Sequence, residues 1–565
     1  MMRYQITLFA LTVSLSLGAQ TEQTAPATPT PPRDTVASKA LGNYSEKRKF
    51  RDYKLPDAKP FASTIKADDL KQILYVLASD SLEGRETGEK GQKKAAEFIA
   101  GHFKAAGIPP KADRNSYYQK IKLRNESWTD LALKVGETTF KSRADYYVYP
   151  NANADIPVIA AKEVVFAGFG IEDPKYNDYE KLDVAGKVVM FYDGEPIDSS
   201  GKSRITGTDF RSKWSLDWKK KVELAKKKGA VLALVIDPKI EESLKKKRRD
   251  ISTYGWKPVG SEEPVKPGEL LNSVFVSPAV AKAILGDKAS KAEQELEDIR
   301  NGGKFNPVKV KAKIEAHFDK ESKIMEGSNV LAVIEGSDSL LSKEFVFITA
   351  HYDHLGMADS TVIYHGADDD ASGTSAVIEI AKAFQEAKNK GVGPKRTVVC
   401  MLVSGEEKGL LGSLYYTEFP VFPLDRTVVD INIDMVGRVD EKYAGNPDYV
   451  YVIGSDRMST ELHDIGEMQN DENTRLTLDY KYNAKDDPNR YYERSDHYNF
   501  AEKGIPVIFY FNGVHPDYHR PSDTADKINY DALAKRAQLA FHVAWEIANR
   551  PARLIVNVPG AKKKS

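Results

Sequence analysis

At 565 residues, with 41% hydrophobic and 29% charged residues, the chain predicts two or three soluble globular domains. Its 82 Lys and Arg balance 82 Asp and Glu, which leaves no global field to draw it to nucleic acid or to an anionic membrane. The basic run Lys245–Arg249 then reads as a solvated helix face. The single cysteine, Cys400, excludes an intramolecular disulfide and lies in the apolar run Thr397–Val403, where it reads as a buried strand residue.

The N-terminus, MMRYQITLFALTVSLSLGAQ, places Arg3 before an apolar run from Ile6 to Leu17, with Leu17, Gly18 and Ala19 as a small-residue cleavage site. That run is of signal-peptide length and too short for an ordinary membrane span. Residues 1–19 are therefore expected to be a signal peptide, directing export to the periplasm or the medium with no stable membrane insertion and no cysteine for a lipid anchor. Residues 20–60, rich in Pro, Thr and Ala, read as a flexible linker. From Lys66, the spacing of Leu70, Ile73, Leu74 and Leu77 predicts an amphipathic helix. A second follows, with Ala96, Phe98, Ile99 and Phe103 on or near its buried face, ending at Gly107 and two prolines. Tyr117–Leu123 alternates like a strand.

The character changes between 157 and 307. VVFAGFG (164–170), GKVVMFY (186–192) and AVLALVI (230–236) read as strands with turns or helices between, and no catalytic constellation occurs there. From Val308 to about residue 550 strands and helices alternate: SNVLAVIEG, EFVFITA, TVVCMLVSG, RTVVDINI, Tyr449–Ile453 and Ile505–Phe511 are apolar runs separated by helical patterns. Such runs, buried on both faces, predict an α/β fold with a mostly parallel central sheet flanked by helices. Residues 551–565 form a basic tail.

The polar residues fall at the ends of those strands. His351 follows EFVFITA, Glu406 and Glu407 follow TVVCMLVSG, and Asp434 follows VVDINI. Open α/β sheets bind ligands at the carboxyl ends of their strands. A loop with Asp368, Asp369 and Asp370 adds further acid. Imidazole and carboxylate without thiolate suit zinc, and so many carboxylates are relieved by two divalent ions sharing one of them. Asp353, two residues after His351, is placed to orient that imidazole. After Gly405 the chain has left its strand, so one of Glu406 and Glu407 can ligate while the other serves as general base. The further histidine is drawn from His463, His497, His515 and His519, with His519 favoured beside Tyr518 and with His354 and His365 as rivals near the first loop.

AHYDHLG, GADDDASGT, SGEEKGLLGS, INIDMVG, RSDHYNF and DYHRPSDT, in this order, resemble the co-catalytic di-zinc peptidases, the family that contains bacterial leucyl-type aminopeptidases and glutamate carboxypeptidases. The resemblance makes 61–156 the N-terminal part of a peptidase domain and 308–550 its catalytic part, while 157–307 resembles the β-rich protease-associated domain inserted in several peptidases. It implies two Zn2+ ions as cofactors: His351 and Asp434 on one, Glu407 and His519 on the other, and Asp368 bridging. It further implies Glu406 as general base, Asp353 as the residue orienting His351, Tyr518 as a donor to the oxyanion, and Asp496 and His497 bordering the substrate; His354 receives no role. The activity so implied is metal-assisted hydrolysis of peptide substrates by an exported exopeptidase, foremost an aminopeptidase. Two alternatives stand beside it. A single-zinc, glutaminyl-cyclase-like enzyme on the same fold usually lacks the insert, and a non-catalytic receptor-like ectodomain would have lost ligands. The sequence assigns no oligomeric state.

Overall fold

The computed structural model describes residues 53–247, 251, 255–261 and 264–558. The expected signal peptide at 1–19, nearly all of the linker at 20–60, the end of the Lys245–Arg249 run and the last residues of the basic tail lie outside the described residues. Among the described residues, no helix is long and apolar enough to cross a membrane.

Helix α1 (Ala67–Leu77) buries Leu70, Ile73, Leu74 and Leu77, the face its periodicity predicts. Helix α2 (Lys90–Ala105) buries Ala95, Ala96, Ile99, Ala100 and Phe103 and leaves Phe98 half out. The strands that follow are β1 (Tyr118–Val135), β2 (Ile156–Phe166), β3 (Val188–Tyr192), β4 (Leu232–Ile236), β5 (Ser273–Val276) and β6 (Val308–Ile334). Then come β7 (Phe345–His351), helix α3 (Ala371–Asn389), β8 (Thr397–Val403), β9 (Thr427–Ile433), β10 (Tyr449–Ile453), β11 (Val507–Phe511) and helix α4 (Tyr530–Asn549). Every residue of β7, β8, β9, β10 and β11 is buried. That is why these strands read as unbroken apolar runs rather than as alternating ones.

The strand order is β10-β11-β9-β7-β8-β6-β2-β3-β4-β5. Neighbours from β11 to β8 are parallel, and so are β2 to β5; β6 is antiparallel to both of its neighbours in this order. The fold is thus a mixed α/β layer with a large, mostly parallel sheet. Helices α1, α3 and α4 share one core with strands β6–β11, to which they bring Leu74, Phe384, Phe541 and Trp545, the last stacked on Phe61 at 5.6 Å between ring centres. Cys400 sits mid-strand in β8, buried, with burial pushing its thiol well above the ordinary range.

Residues 157–307 hold most of β2 and all of β3, β4 and β5, with helices Lys219–Lys227, Pro278–Leu285 and Ala289–Arg300 between and after them. Helix Lys219–Lys227 lies between β3 and β4, and helix Ile240–Lys246 between β4 and β5, as the crossovers that parallel neighbours need. Val164, Phe166, Val188 and Met190 face one core, and Val165, Val189 and Phe191 the other, as the two-residue period of a strand requires. The sheet does not stop at the segment's ends. Strand β1 pairs antiparallel along β6 from Tyr118↔Val330 to Val135↔Ile314, with a shift of register between Trp128 and Asp130. One end of this ribbon lies beside β8 and the other beside β2.

Between α1 and α2 the chain turns through Glu83, Gly84 and Arg85, all at positive φ. At Gly84 a Cβ would meet the Gly356 carbonyl oxygen at 2.3 Å, so only glycine allows this approach. The turn drives the Arg85 side chain inward, 1% exposed, where it donates to the carbonyls of Leu77, Tyr352 (2.8 Å), His365 (2.8 Å) and Gly366 (2.9 Å). Burial pulls its pKa down to about 10 against the opposing pull of Asp369, Asp353 and Asp370, so it stays charged at neutral pH. Replacing Arg85 by Met keeps the stem and strands those carbonyls. Each buried group left unsatisfied costs ~1–3 kcal/mol, so Arg85→Met is expected to lower unfolding free energy by at least about 3 kcal/mol. A shift in the urea midpoint equivalent to under about 1 kcal/mol would show that Arg85 does not hold these loops.

Candidate metal centre

The parallel register brings the site together. His351, the last residue of β7, pairs with Val403 at the end of β8, while Thr349 pairs with Asn432, two residues before Asp434. Gly405, at φ +81°, turns the chain out of β8 and releases Glu406 and Glu407 in different directions. Strand β11, parallel to β9, ends at Phe511, and the loop beyond it returns with Tyr518 and His519. Met435 and His519, which flank or supply donors, both lie at positive φ (52° and 56°), a strained region for residues other than glycine.

Two donor clusters result. In the first, His351 Nε2 lies 3.2 Å from Asp369 Oδ1, 3.5 Å from Asp434 Oδ1 and 3.9 Å from Glu406 Oε2. In the second, His519 Nε2 lies 3.0 Å from Asp369 Oδ2 and 3.2 Å from Glu407 Oε2, while His354 Nδ1 lies 2.8 Å from Glu407 Oε1 and 3.8 Å from Asp369 Oδ2. Asp369 thus presents one oxygen to each cluster. Asp369 Oδ2, Glu407 Oε1 and both ring nitrogens of His354 are buried without an aligned hydrogen-bond partner. Buried polar atoms are rarely left so, and a cation satisfies them together. The donor set, imidazole and carboxylate converging from several strand ends, fits zinc.

The electrostatics are those of a cation site. Burial favours neutral forms throughout, and it drives the Glu406 carboxyl well above the usual range. At His351 burial is outweighed by Glu406 and Asp434, which raise the imidazole well above its ordinary value. At His519 burial is outweighed by Asp369 and Glu407, which push it up to about 10. Asp369 moves the other way: burial would raise it, but His351 and His519 hold it well below the usual carboxylate range. Ion binding displaces the protons that these groups hold.

The three consecutive aspartates divide their work. Asp368, the residue expected to bridge, does not face the histidines of either cluster: its carboxylate accepts from the Gly437 N–H (2.7 Å) and Asn512 Nδ2 (3.1 Å) and lies 3.2 Å from His515. Asp370 caps α3, accepting from the N–H groups of Gly373 (2.8 Å) and Met435 (3.1 Å). Only the middle carboxylate, Asp369, points to the donors. Asp523 fixes this by accepting from the N–H groups of Asp368 (2.9 Å) and Asp369 (3.2 Å); the Asp369–Asp370 peptide bond is cis.

Asp353 also acts otherwise than expected. Past the strand end the chain turns, so its main-chain carbonyl, not its carboxylate, takes the His351 Nδ1 hydrogen bond at 3.1 Å. The carboxylate, 3.8 Å from that nitrogen, accepts from Thr87 Oγ1 (2.7 Å) and the Glu406 N–H (3.2 Å). Asp434 accepts from Ser495 Oγ at 2.6 Å. Of the other histidines weighed, His463 meets Ser455, His365 meets Asp80 and the Pro521 carbonyl, and His515 meets Asp368.

Asp496 and His497 do not border the cleft; both are fully buried beneath it. Asp496 accepts from Ser413 Oγ, and burial raises its carboxyl to about 7. His497 stacks on Phe509 at 4.8 Å, and burial lowers its imidazole to about 3. The residue of this motif that lines the cleft is Arg494, beside Met435, Tyr491, Phe509, Phe511, Val514 and Tyr518. Its guanidinium donates to the Tyr518 hydroxyl at 3.4 Å and packs on the Tyr491 ring. Tyr518 in turn stacks on His519 at 3.9 Å, and burial together with Asp369 and Glu407 raises its phenol far above the ordinary value, so it remains a donor. Sequence reasoning passed over Arg494 and gave His354 no role. The first stands in the quoted motif RSDHYNF, and the second in AHYDHLG.

Residues 329–544 match the model of peptidase family M28, so the resemblance read from the motifs holds over this stretch. Over 214 residues the chain is 27% identical to the aminopeptidase YwaD of Bacillus subtilis (strain 168), covering 37% of this chain and 42% of that one. Over 226 residues it is 27% identical to a probable leucine aminopeptidase of Arthroderma otae, covering 39% of this chain and 57% of that one. The chain thus spans about half the length of the curated relatives it matches. Among solved structures, an aminopeptidase from Aneurinibacillus sp. strain AM-1 aligns over 89% of this chain and 98% of its own, with 18% identity and a TM-score of 0.43.

The division of labour among the aspartates is testable by metal content. Asp369→Ala is expected to lower zinc content sharply. Asp368→Asn keeps an acceptor for the Gly437 N–H and is expected to retain wild-type zinc content. The reverse pattern, measured on purified protein, would restore Asp368 as the shared carboxylate.

Proposed function

We propose that the chain is an exported, zinc-dependent exopeptidase that acts as an aminopeptidase, holding two Zn2+ ions at the two clusters. One observation carries this reading: Asp369 offers one oxygen to His351 and the other to His519, with Glu406 3.9 Å from His351 Nε2 beside them. The similarity to enzymes named aminopeptidases supports it. On this reading His351, Asp434 and Asp369 hold one ion, and Glu407, His519 and Asp369 the other. Zinc supplies there the positive charge that makes a water acidic and a peptide carbonyl electrophilic.

The chain's own groups do the rest. Glu406, its backbone N–H anchored on Asp353, takes a proton from the attacking water and returns it to the leaving amine. Tyr518, kept protonated by its surroundings, donates to the oxygen that gains charge at the carbonyl. Tyr491, Phe509 and Phe511 form an aromatic wall for the substrate side chain. The segment 157–307 is proposed as a protease-associated insert, supported by its VVFAGFG and GKVVMFY strands.

Glu406→Gln keeps the shape and removes the base. It is expected to lower turnover of free-N-terminus peptides by roughly 10²–10⁴-fold with zinc content unchanged, and N-acetylated peptides should resist the wild-type protein. Near-normal turnover in the variant would remove Glu406 from this role, and cyclisation of an N-terminal glutamine peptide would replace hydrolysis as the activity. Export rests on the apolar run Ile6–Leu17; N-terminal sequencing of protein from the periplasm or medium is expected to begin at Gln20. Recovery only from the cytoplasm, with Met1 retained, would overturn it.

A further inference from the structure

His354 is a buried imidazole that the mechanism above does not use. It lies three residues beyond His351, 1% exposed, and its backbone is held in place from outside the loop. The His354 N–H donates to the Arg85 carbonyl at 3.3 Å, and the residue pairs as an isolated bridge with Glu86. A neutral imidazole carries one donor and one acceptor, and both are normally met when buried. Here neither ring nitrogen has an aligned hydrogen-bond partner, although Nδ1 stands 2.8 Å from Glu407 Oε1. The unmet atoms of Asp369 and Glu407 lie on the same side, and one donor atom of each of His354, Asp369 and Glu407 falls within 4.8 Å of the other two.

The fold also makes room for this ring. Gly366, at φ +55°, stands against it: a Cβ there would lie 2.5 Å from both Cγ and Cδ2 of His354. No other residue type fits opposite the imidazole without displacing it.

We propose that His354 is a direct ligand of the ion held by Glu407, His519 and Asp369, so that the two ion sites are unequal, this one having two imidazoles and two carboxylates. The proposal rests on the two-ion reading above. The geometry of the cluster suits a ligand, with Glu407 turning Oε1 to His354 and Oε2 to His519. Donors about 2 Å from one tetrahedral ion stand roughly 3.3 Å apart, and the four separations in this cluster, 2.8, 3.0, 3.2 and 3.8 Å, bracket that value. The His351 cluster has one imidazole, and its other near group, Glu406, serves as base. The ion beside His354 is therefore the one held more tightly, and the ion beside His351 is the one that exchanges.

The test uses the full-length chain stripped of metal and titrated with Co2+, following visible absorption and measuring each affinity by competition with a chelator. Wild type is expected to take up two ions in separable steps. In His354→Ser, only the tighter step should weaken, by more than about 100-fold, beyond the 10–100-fold typical of residues that merely support a ligand, and its absorption band should change. His354→Gln, which can hydrogen-bond Glu407 but cannot replace an imidazole ligand, should fail to rescue. Affinities of both steps within threefold of wild type, or full rescue by Gln, would overturn the proposal; thermal melting of the metal-free variants checks that they fold. A wild-type chain that takes up a single ion would overturn the two-ion reading, while the effect of His354→Ser on that ion would still decide for or against His354.

Discussion

Buried negative charge at the ends of three parallel strands is the constraint on which the rest of the structure turns. Asp353, Asp369, Asp370, Glu406, Glu407 and Asp434 lie within one small region, nearly all of them out of water. Two carboxylates about 4 Å apart repel by ~4 kcal/mol at an effective dielectric near 20, and a domain's whole stability is only about 5–15 kcal/mol. A few such pairs without compensation would unfold it. The chain compensates in three ways. Backbone N–H groups point at Asp368, Asp370 and Asp353, the Arg85 guanidinium sits behind the loop, and the imidazoles of His351 and His519 face Asp369. What remains unmet, at His354, Asp369 and Glu407, is where a divalent cation contributes most.

Such a site demands positions fixed to a fraction of an ångström, and the sheet provides them. Strands β7, β8 and β9 are buried on both faces, so a slip of register would carry an entire apolar set out of its packing. Their ends then fall level, and the side chains just past those ends converge. The loops need their own restraints. Asp523 fixes the backbone of Asp368 and Asp369, Asp370 fixes the start of α3, and Arg85 ties Tyr352 to His365 and Gly366. These restraints come from sequence positions far apart, which is why the N-terminal helices belong to the same unit as the strands they serve.

What was legible in the sequence follows from the same physics. The helix faces of α1 and α2, the buried strands and the position of His351, Glu406, Glu407 and Asp434 at strand ends all follow from periodicity and from abrupt changes of polarity. The errors arose where the chain leaves regular structure. Among Asp368, Asp369 and Asp370 no period tells which carboxylate turns to the histidines, because partners 65 to 155 residues away decide it. On an extended chain Asp353 would present its side chain to His351; the turn after β7 presents its carbonyl instead. His354 would point away on a continued strand, and the pinning of its backbone by Arg85 redirects it. Asp496 and His497 look like surface residues in RSDHYNF, yet the short helix they open faces the sheet and buries them, leaving Arg494 at the cleft.

The ribbon of β1 and β6 gives the segment 157–307 a physical connection to this chemistry. Strand β6 begins beside β2, in the cores of that segment, and ends beside β8, whose last residue lies level with His351. On the way it passes Ser328, whose carbonyl accepts from the hydroxyl of Tyr352, the residue between His351 and Asp353. Tyr352 is fully buried and also receives Gln92 from α2 and, through its carbonyl, Arg85. The two parts of the sheet therefore share strand β6, which runs from the strands of 157–307 to β8 and, through Ser328, meets Tyr352 beside His351.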